Sequence, residues 1–265
     1  MIKKIIIICL ITFFSSKVMA KCRSYEFKPD DSYQWLSVPN EQNKRLPAVL
    51  ISHSSGGTGL HTATWQNIFS QMGYVTYVIN HYSGHVWGPG SQNPNHAKSC
   101  IGGIEWEDSR RVKETLLAIN YLREHPKVDP NKIILIGFSA GAGFTPILTS
   151  SKNSNLVHKA IVVYGWGWGC KKHSTDFKVP TLILNAEKDP NNNWCWPKKD
   201  KNLTKVITYK GAYHAWDWDS PKNRAGYKNC PPGGRFCDEQ KFDEEIFQQS
   251  VKDVKDFLLT NEKTN

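Results

Sequence analysis

Six short runs of Ile, Val and Leu residues constrain the fold of this chain more than any other feature. The runs cover residues 48–51, 74–79, 133–136, 160–163, 181–184 and 206–209. Continuous apolar runs of this length are typical of strands buried on both faces of a parallel sheet. Helical periodicity recurs between and after them, over residues 63–73, 106–125 and 244–259. The alternation predicts βαβ units in one doubly wound α/β domain, with one or two edge strands added before residue 47.

The first 20 residues differ from the rest of the chain. Lys3 and Lys4 precede an apolar run over residues 5–14, and Val18-Met19-Ala20 follows. This order is typical of a secretory signal peptide, and the run is shorter than the roughly 20 residues that span a bilayer. We expect residues 1–20 to be removed and residues 21–265 to form a single periplasmic or secreted domain without a stable membrane anchor. The alternative is an uncleaved anchor or a buried first helix.

Export would change how the cysteines are interpreted. An oxidising compartment favours up to three disulfides among the six cysteines that remain after Cys9 is removed. Of these, Cys230 and Cys237 would close the short loop CPPGGRFC, and the other pairings stay open. The six cysteines are Cys22, Cys100, Cys170, Cys195, Cys230 and Cys237.

The same residues give little support for a metal site. The cysteine spacings do not fit a zinc knuckle. The histidines His81, His85 and His96 lie in a segment rich in Gly and Ser, which disfavours a shared helical face. We therefore expect no bound metal.

The positive charge of the chain is not concentrated in one segment. Lys and Arg number 34 against 24 Asp and Glu, a net charge of +10, and loss of Lys3, Lys4 and Lys17 with the leader leaves about +7. The basic residues are scattered rather than gathered on a helix or stripe. This pattern indicates a solvated surface, and we expect no nucleic-acid partner.

A serine at the end of the third run has the setting of a nucleophile. Residues 133–143 read IILIGFSAGAG, so the strand runs into Gly137-Phe138-Ser139-Ala140-Gly141 and then a helix. Small residues two before and two after the serine permit a sharp strand-to-helix turn at the carboxyl edge of the sheet. A structural glycine turn would give the same pattern, so Ser139 needs partners.

Two later strands lead into the required partners. A serine hydroxyl becomes a nucleophile when a histidine takes its proton and a carboxylate orients that histidine, in the chain order Ser, Asp or Glu, His. The fifth run leads into Asp189 and the sixth into His214. We expect Ser139, Asp189 and His214 to be catalytic, with Glu187 as the alternative acid. Asp217 and Asp219 are expected to be solvated flanks of the histidine loop.

Backbone N–H groups would complete the site by binding the oxyanion. The first run leads into the small-residue loop His53-Ser54-Ser55-Gly56-Gly57. We expect the Ser55 N–H to be one donor and the Ala140 N–H the other. The helix after Ser139 is expected to direct its first N–H groups to the same point.

These motifs resemble the dienelactone hydrolase family of α/β-hydrolases over residues 47–259. The resemblance rests on the loop 53–57, Val128-Asp129 ahead of the serine turn, and the segments 186–189 and 209–214. It implies a mostly parallel sheet of about eight strands, a Ser139–His214–Asp189 triad, and hydrolysis of ester or lactone bonds without a metal or organic cofactor. Unlike the cytoplasmic, cysteine-dependent enzymes that give the family its name, this chain carries a leader and a serine. It also has Ser54 where glycine is usual, and long tryptophan-rich segments.

Aromatic residues follow several of the strand ends. Either they fill small cores under long loops, or they form a platform for sugar rings or aromatic acyl groups. On the second interpretation we expect substrate contacts from His53, Trp87, Trp166, Trp168 and Trp216.

The sequence therefore predicts an exported serine hydrolase acting on a small or polymer-borne ester through an acyl-enzyme. Two alternatives remain. A serine peptidase of the prolyl-oligopeptidase type would use the same triad. A glycan-binding module would keep the aromatic loops beside a relict triad.

Overall fold

The computed structural model describes residues 36–40, 44–81, 110–150, 153–165, 176–190, 199–229 and 238–260. The seven cysteines, residues 1–20, and the residues His85, His96, Trp87, Trp166 and Trp168 lie outside these ranges. The disulfides, the signal peptide and the substrate contacts assigned to those three tryptophans therefore stay predictions.

A twisted sheet of seven strands forms the centre of the described ranges. Its order is β1-β3-β2-β4-β5-β6-β7, and every neighbouring pair is parallel except β1 with β3. The mostly parallel α/β fold is confirmed, with an antiparallel edge strand ahead of residue 47. The strands are β1 Leu36–Ser37, β2 Leu46–Ser52, β3 Val75–Ile79, β4 Val128–Phe138, β5 Lys159–Val163, β6 Thr181–Ala186 and β7 Thr204–Tyr209.

In the described ranges, three helices lie between strands of the sheet, and two further helices and a small hairpin follow β7. The helices are α1 Leu60–Gln71, α2 Arg110–Glu124, α3 Thr145–Thr149, α4 Pro221–Ala225 and α5 Glu244–Leu259, and the antiparallel hairpin is β8 Tyr227–Asn229 with β9 Asp238–Gln240. Within the described ranges, none of the helices is both long and apolar enough to cross a bilayer.

Side chains on the two faces of the sheet pack into two separate cores. Leu50 and Leu135 face α2, whereas Ile51 and Ile136 face α1 and α5. Neighbouring residues of a strand point to opposite faces, so a strand covered on both faces must be apolar throughout. Each fully buried Ile or Leu contributes about 1.5–3 kcal/mol, which makes the sheet a rigid platform for the loops at its edge.

The carboxyl ends of β2 and β4 meet where the strand order reverses. The chain passes from β2 to β3 on one side and returns to β4 on the other, which opens a crevice at this edge. Ser52, the last residue of β2, pairs in register with Gly137 of β4. The loop after β2 therefore begins directly beside the serine turn.

Candidate active site

The turn after β4 holds Ser139 in a strained backbone conformation. Its φ is +50°, in the left-handed region that residues with a Cβ rarely adopt. The Ser139 N–H donates to the Val163 carbonyl at 3.0 Å, and the Gly141 N–H donates to the Phe138 carbonyl at 2.8 Å. These bonds fasten the turn to the end of β5 and present the Ser139 side chain at the sheet edge.

Gly137 and Gly141 are required by close backbone contacts. A Cβ on Gly137 would lie 2.7 Å from the Cα of Ala142, and one on Gly141 would lie 2.3 Å from the Ser52 carbonyl oxygen. Both distances are far shorter than van der Waals contact, so no side chain fits at either position. The small residues flanking Ser139 therefore let the turn pack against β2 and the following segment.

The segment after this turn differs from the expected helix. A 3₁₀ turn over Ala142–Phe144 leads into the five-residue α3, which has Pro146 in its first turn. A helix this short gives little macrodipole, so individual N–H groups matter instead. The Ala140 N–H meets no acceptor within the described part of the chain.

Three strand ends bring Ser139, His214 and Asp189 into one hydrogen-bonded chain. His214 Nε2 lies 3.1 Å from Ser139 Oγ, and His214 Nδ1 lies 2.5 Å from Asp189 Oδ2. All three side chains are buried. A carboxylate facing Nδ1 keeps the proton on that nitrogen, which leaves Nε2 to accept the proton of the serine hydroxyl.

The other candidate acid points elsewhere. Glu187 is exposed, and its Oε2 accepts a hydrogen bond from the Gly211 N–H at 2.8 Å. Only Asp189 of these two carboxylates contacts His214 in the described ranges.

A model of the dienelactone hydrolase family matches residues 35–258. The chain belongs to the dienelactone hydrolase family. Membership places it among the carboxylic ester hydrolases of the α/β-hydrolase superfamily. No curated protein sequence matches it.

Solved structures share this fold at low sequence identity. A Klebsiella pneumoniae protein assigned to the dienelactone hydrolases is 16% identical, covering 85% of this chain and 92% of its own, with a TM-score of 0.62. A dienelactone hydrolase-like promiscuous phosphotriesterase from metagenomic libraries is 13% identical. The match covers 84% of this chain and 90% of that protein, with a TM-score of 0.60. Est1E of Butyrivibrio proteoclasticus, solved with ferulic acid, is 15% identical. The match covers 85% of this chain and 93% of Est1E, with a TM-score of 0.54.

The histidine loop of this hydrolase is anchored by the β8–β9 hairpin. The His214 N–H donates to the Glu239 carbonyl at 3.0 Å, and the Lys241 N–H donates to the His214 carbonyl at 3.2 Å. Ala215, the next residue, has a φ of +57°. The hairpin thus fixes both backbone groups of His214 and, through them, the direction of its imidazole ring.

A second buried carboxylate lies behind the His214 ring. Asp217 accepts hydrogen bonds from Tyr164 Oη at 2.7 Å and from Trp65 Nε1 at 2.6 Å. The Tyr164 ring packs against His214 with centroids 4.7 Å apart. Burial raises the pKa of Asp217, and burial together with the Asp217 charge raises the pKa of Tyr164 well above its usual value. Tyr164 therefore remains a protonated donor that supports one face of His214.

This network corrects the expectation that Asp217 is solvated. Asp217 is buried, whereas Asp219 is partly exposed and pairs with Arg224 at 2.5 Å. Tyr164, which the sequence analysis did not single out, is the first residue after β5 and has a φ of +35°. In the described ranges, the non-glycine residues with positive φ are Ser139, Tyr164 and Ala215, all at this site. Such strain is concentrated at functional sites in proteins.

Two residues expected to contact substrate are enclosed by the protein instead. Trp216 is fully buried, with its ring against Tyr164 at 4.8 Å and Tyr209 at 5.3 Å between centroids. His53 is also fully buried, beneath the loop that follows β2. An enclosed indole or imidazole cannot serve as a stacking surface, so these two expectations are corrected: Trp216 is a core residue and His53 supports a loop.

Within the ranges that the structure describes, no three His, Cys, Asp or Glu side chains form a cluster that could hold a metal ion. His81, one of the histidines considered as a ligand, lies 2.7 Å from Glu114 Oε2 through Nδ1 and 3.0 Å from Ser52 Oγ through Nε2.

A further buried histidine lies close to the serine turn. His61 of α1 stacks on Trp218 with centroids 4.5 Å apart and meets the edge of Phe138 at 5.8 Å. Neither of its ring nitrogens has a hydrogen-bond partner among the described residues. Burial lowers the pKa of His61 to about 4.

This burial predicts an acid-dependent loss of stability. Unfolding returns His61 to its ordinary pKa of about 6.5. As the pH falls from 6.5 towards 4, the unfolded state therefore binds a proton at His61 while the folded state leaves the ring neutral. The free energy of unfolding should fall by roughly 3 kcal/mol over this window because of His61. His61→Phe, which keeps a ring against Trp218, should remove that part of the pH dependence. Urea titrations of both proteins at pH 7, 6, 5 and 4 measure it.

At pH 7 the His61→Phe protein should be at least as stable as its parent, because the change deletes two unbonded nitrogens from the interior. Parallel stability curves between pH 6.5 and 4 would contradict the assignment to His61.

Proposed function

We propose that this hydrolase cleaves carboxylic esters, including lactones, with Ser139 as the nucleophile. The observation that carries the proposal is the unbroken hydrogen-bonded chain from Ser139 Oγ through His214 to Asp189. The strained turn at Ser139 and its position beside the loop after β2 give further support. Family membership supplies the reaction class, and the geometry supports the choice of residues.

Acylation follows from the directions of these hydrogen bonds. His214 Nε2 takes the proton of Ser139 as Oγ attacks the ester carbonyl carbon. The resulting oxyanion would be bound by the N–H groups of Ser55 and Ala140. His214 then donates its Nε2 proton to the leaving alcohol, and the C–O bond breaks to give an acyl-Ser139 ester.

Deacylation repeats these steps with water. His214 removes a proton from the water molecule that attacks the acyl carbon, and the same N–H groups bind the second oxyanion. Collapse returns the proton to Ser139 Oγ and releases the carboxylic acid. Asp189 stays ionised throughout and stabilises the imidazolium that forms twice in each cycle.

We also propose that the protein works outside the cytoplasm. The support is the order of charged, apolar and small residues in positions 1–20 and the six cysteines that follow. A serine nucleophile suits an oxidising compartment, because a catalytic cysteine would be open to oxidation there.

The proposal is tested by labelling and by a substrate panel. The purified protein should form one covalent adduct with a fluorophosphonate, located at Ser139 by peptide mass spectrometry. It should hydrolyse p-nitrophenyl acetate, and acetyl, longer acyl, feruloyl and lactone substrates would rank its preference. Faster cleavage of peptide anilides than of esters would favour the peptidase alternative. Absence of any adduct at Ser139 would favour a binding module with a relict triad.

A further inference from the structure

We propose that His53 is a positioning residue that orients the oxyanion-binding N–H of Ser55. It does so by holding the carbonyl of Ser54, which belongs to the same peptide group as that N–H. This inference rests on the proposed function, because it concerns how the same site stabilises charge.

The hydrogen bonds of His53 permit only one arrangement of its proton. The His81 backbone N–H donates to His53 Nε2 at 3.1 Å, so Nε2 carries no proton. Nδ1 must then carry it and donate to the Ser54 carbonyl at 2.6 Å. Burial, then the nearby charge of Arg111, lowers the pKa of His53 well below its usual value, which keeps the ring neutral.

The bond to Ser54 fixes a peptide plane. The Ser54 carbonyl also accepts the Gly57 N–H at 3.2 Å, so two donors hold this oxygen. A trans peptide is planar, with its N–H pointing opposite to its C=O. Holding the Ser54 oxygen beneath the loop therefore directs the Ser55 N–H the other way.

The loop lies against the serine turn. A Cβ on Gly141 would lie 2.3 Å from the Ser52 carbonyl oxygen and 2.7 Å from that of His53. Gly141 is two residues after Ser139, so the loop 52–57 and the nucleophile share one backbone contact. Rotation of the Ser54–Ser55 peptide would thus change the direction of the N–H that we propose binds the oxyanion.

A buried polar network holds His53 and His81 in place. His81 lies between Glu114, at 2.7 Å from Nδ1, and Ser52, at 3.0 Å from Nε2. Arg111, one turn before Glu114 on α2, donates to the His53 carbonyl at 3.2 Å. All five side chains are buried, so the network fastens the loop to α2 rather than facing substrate.

The Ser54 side chain also helps to hold this loop. The Ser54 Oγ accepts a hydrogen bond from the Gly56 N–H at 3.2 Å, which closes the turn that contains the positioned peptide. Gly57 follows with a φ of +87°, a conformation that glycine adopts without strain.

Two substitutions separate the hydrogen bonds of His53. In His53→Asn the amide nitrogen is attached to Cγ, as Nδ1 is in histidine, so it can still donate to the Ser54 carbonyl. The acceptor for the His81 N–H, which is Nε2 in histidine, is lost. In His53→Gln the polar atoms lie one bond further out, near Nε2, so the donor to Ser54 is lost.

We expect His53→Gln to lower kcat for p-nitrophenyl acetate by about 10²-fold, since loss of one oxyanion donor costs about 10²–10³. Its KM should change by less than about threefold, because the N–H acts on the transition state. His53→Asn should keep kcat within about fivefold of the parent. Affinity for a boronic acid, which forms a tetrahedral adduct on the serine, should fall with kcat. Rates are expressed per site titrated with fluorophosphonate, so unfolded protein does not contribute.

Equal kcat and boronate affinity in the parent and folded His53→Gln would overturn the inference. So would a His53→Asn protein as impaired as His53→Gln, because the bond to Ser54 would then not be the one that matters. If glutamine is not accommodated, His53→Ala replaces it, and the same loss of kcat per titrated site is required. Failure of the proposed function looks different, since the parent itself would then be inactive and unlabelled.

Discussion

Ser139→Ala is expected to lower kcat/KM for p-nitrophenyl acetate by about 10⁴- to 10⁶-fold. The change removes the oxygen that we propose forms the acyl-enzyme, and it removes the hydroxyl that lies 3.1 Å from the His214 imidazole. Any remaining rate would come from water attacking an ester held by the oxyanion donors. The fold should persist, because alanine keeps the Cβ that already occupies the strained turn and loses one hydroxyl.

Steady-state rates, fluorophosphonate labelling and thermal melts measure this prediction. Ser150→Ala is the matched control, because its hydroxyl donates to the Pro146 carbonyl on α3 and takes no part in the proposed chemistry. It should be labelled and active at the level of the parent. A folded Ser139→Ala protein with more than about one hundredth of the parental activity would end the assignment of Ser139.

Asp189→Asn is expected to lower kcat by about 10³- to 10⁴-fold near neutral pH. Asp189 lies 2.5 Å from His214 Nδ1 and is fully buried. An asparagine amide can donate to Nδ1, which moves the imidazole proton to Nε2 and prevents that nitrogen from accepting the serine proton. The side chain keeps its size, so the loss should be one of chemistry rather than folding.

Glu187→Gln is the matched control for this second prediction. Glutamine can still accept the Gly211 N–H through its amide oxygen, so the loop after β6 is retained. Its kcat should stay within about twofold of the parent. A large loss in Glu187→Gln together with an active Asp189→Asn would reverse the choice of acid that the geometry supports. Stopped assays with p-nitrophenyl acetate and far-UV circular dichroism are sufficient to decide.

The strands of the sheet could be predicted from the sequence because their signal is local. An Ile/Val/Leu run such as residues 160–163 is buried wherever a parallel sheet is covered on both faces, and it forms all of β5 except its first residue. The predicted boundaries of the strands were less accurate. β4 extends to Val128–Phe138 although only residues 133–136 are continuously apolar, because its first residues pair with Leu46 of β2.

The sheet has seven strands within the described ranges, where the family resemblance implied about eight. The expected helix after Ser139 is a 3₁₀ turn followed by the short α3, which ends at Thr149. Pro146 lies at the start of that helix, where its missing N–H has no intrahelical partner to lose.

The supporting side chains could not be predicted in the same way. Asp217 lies between Trp216 and Trp218 in a loop, and local sequence gives no reason to bury it. It is buried because Tyr164, which directly follows β5, and Trp65 of α1 both donate to it. His53 could be noticed in the sequence but not interpreted, because one of its partners is the backbone N–H of His81, which lies just beyond β3. Long-range contacts of this kind have no periodicity to detect.

Two buried polar networks therefore support the candidate site from opposite sides. Tyr164, Asp217 and Trp65 lie behind the imidazole of His214, and His53, His81 and Glu114 lie beneath the loop after β2. Hydrogen-bonded groups in a low-dielectric interior are rigid when all their partners are present. One network supports the proposed base, and the other supports the loop that we propose binds the oxyanion.

The amino-acid sequence by itself determined the layered α/β fold, the tight serine turn and the order in which nucleophile, acid and histidine follow their strands. These depend on the periodicity of apolar residues and on the absence of a Cβ at Gly137 and Gly141, which are local properties. The tertiary structure alone decided which carboxylate faces His214, which aromatic residues are enclosed, and which buried groups hold the loop after β2. Such choices depend on distances between segments up to 152 residues apart, as between Trp65 and Asp217, and only the packed sheet sets those distances.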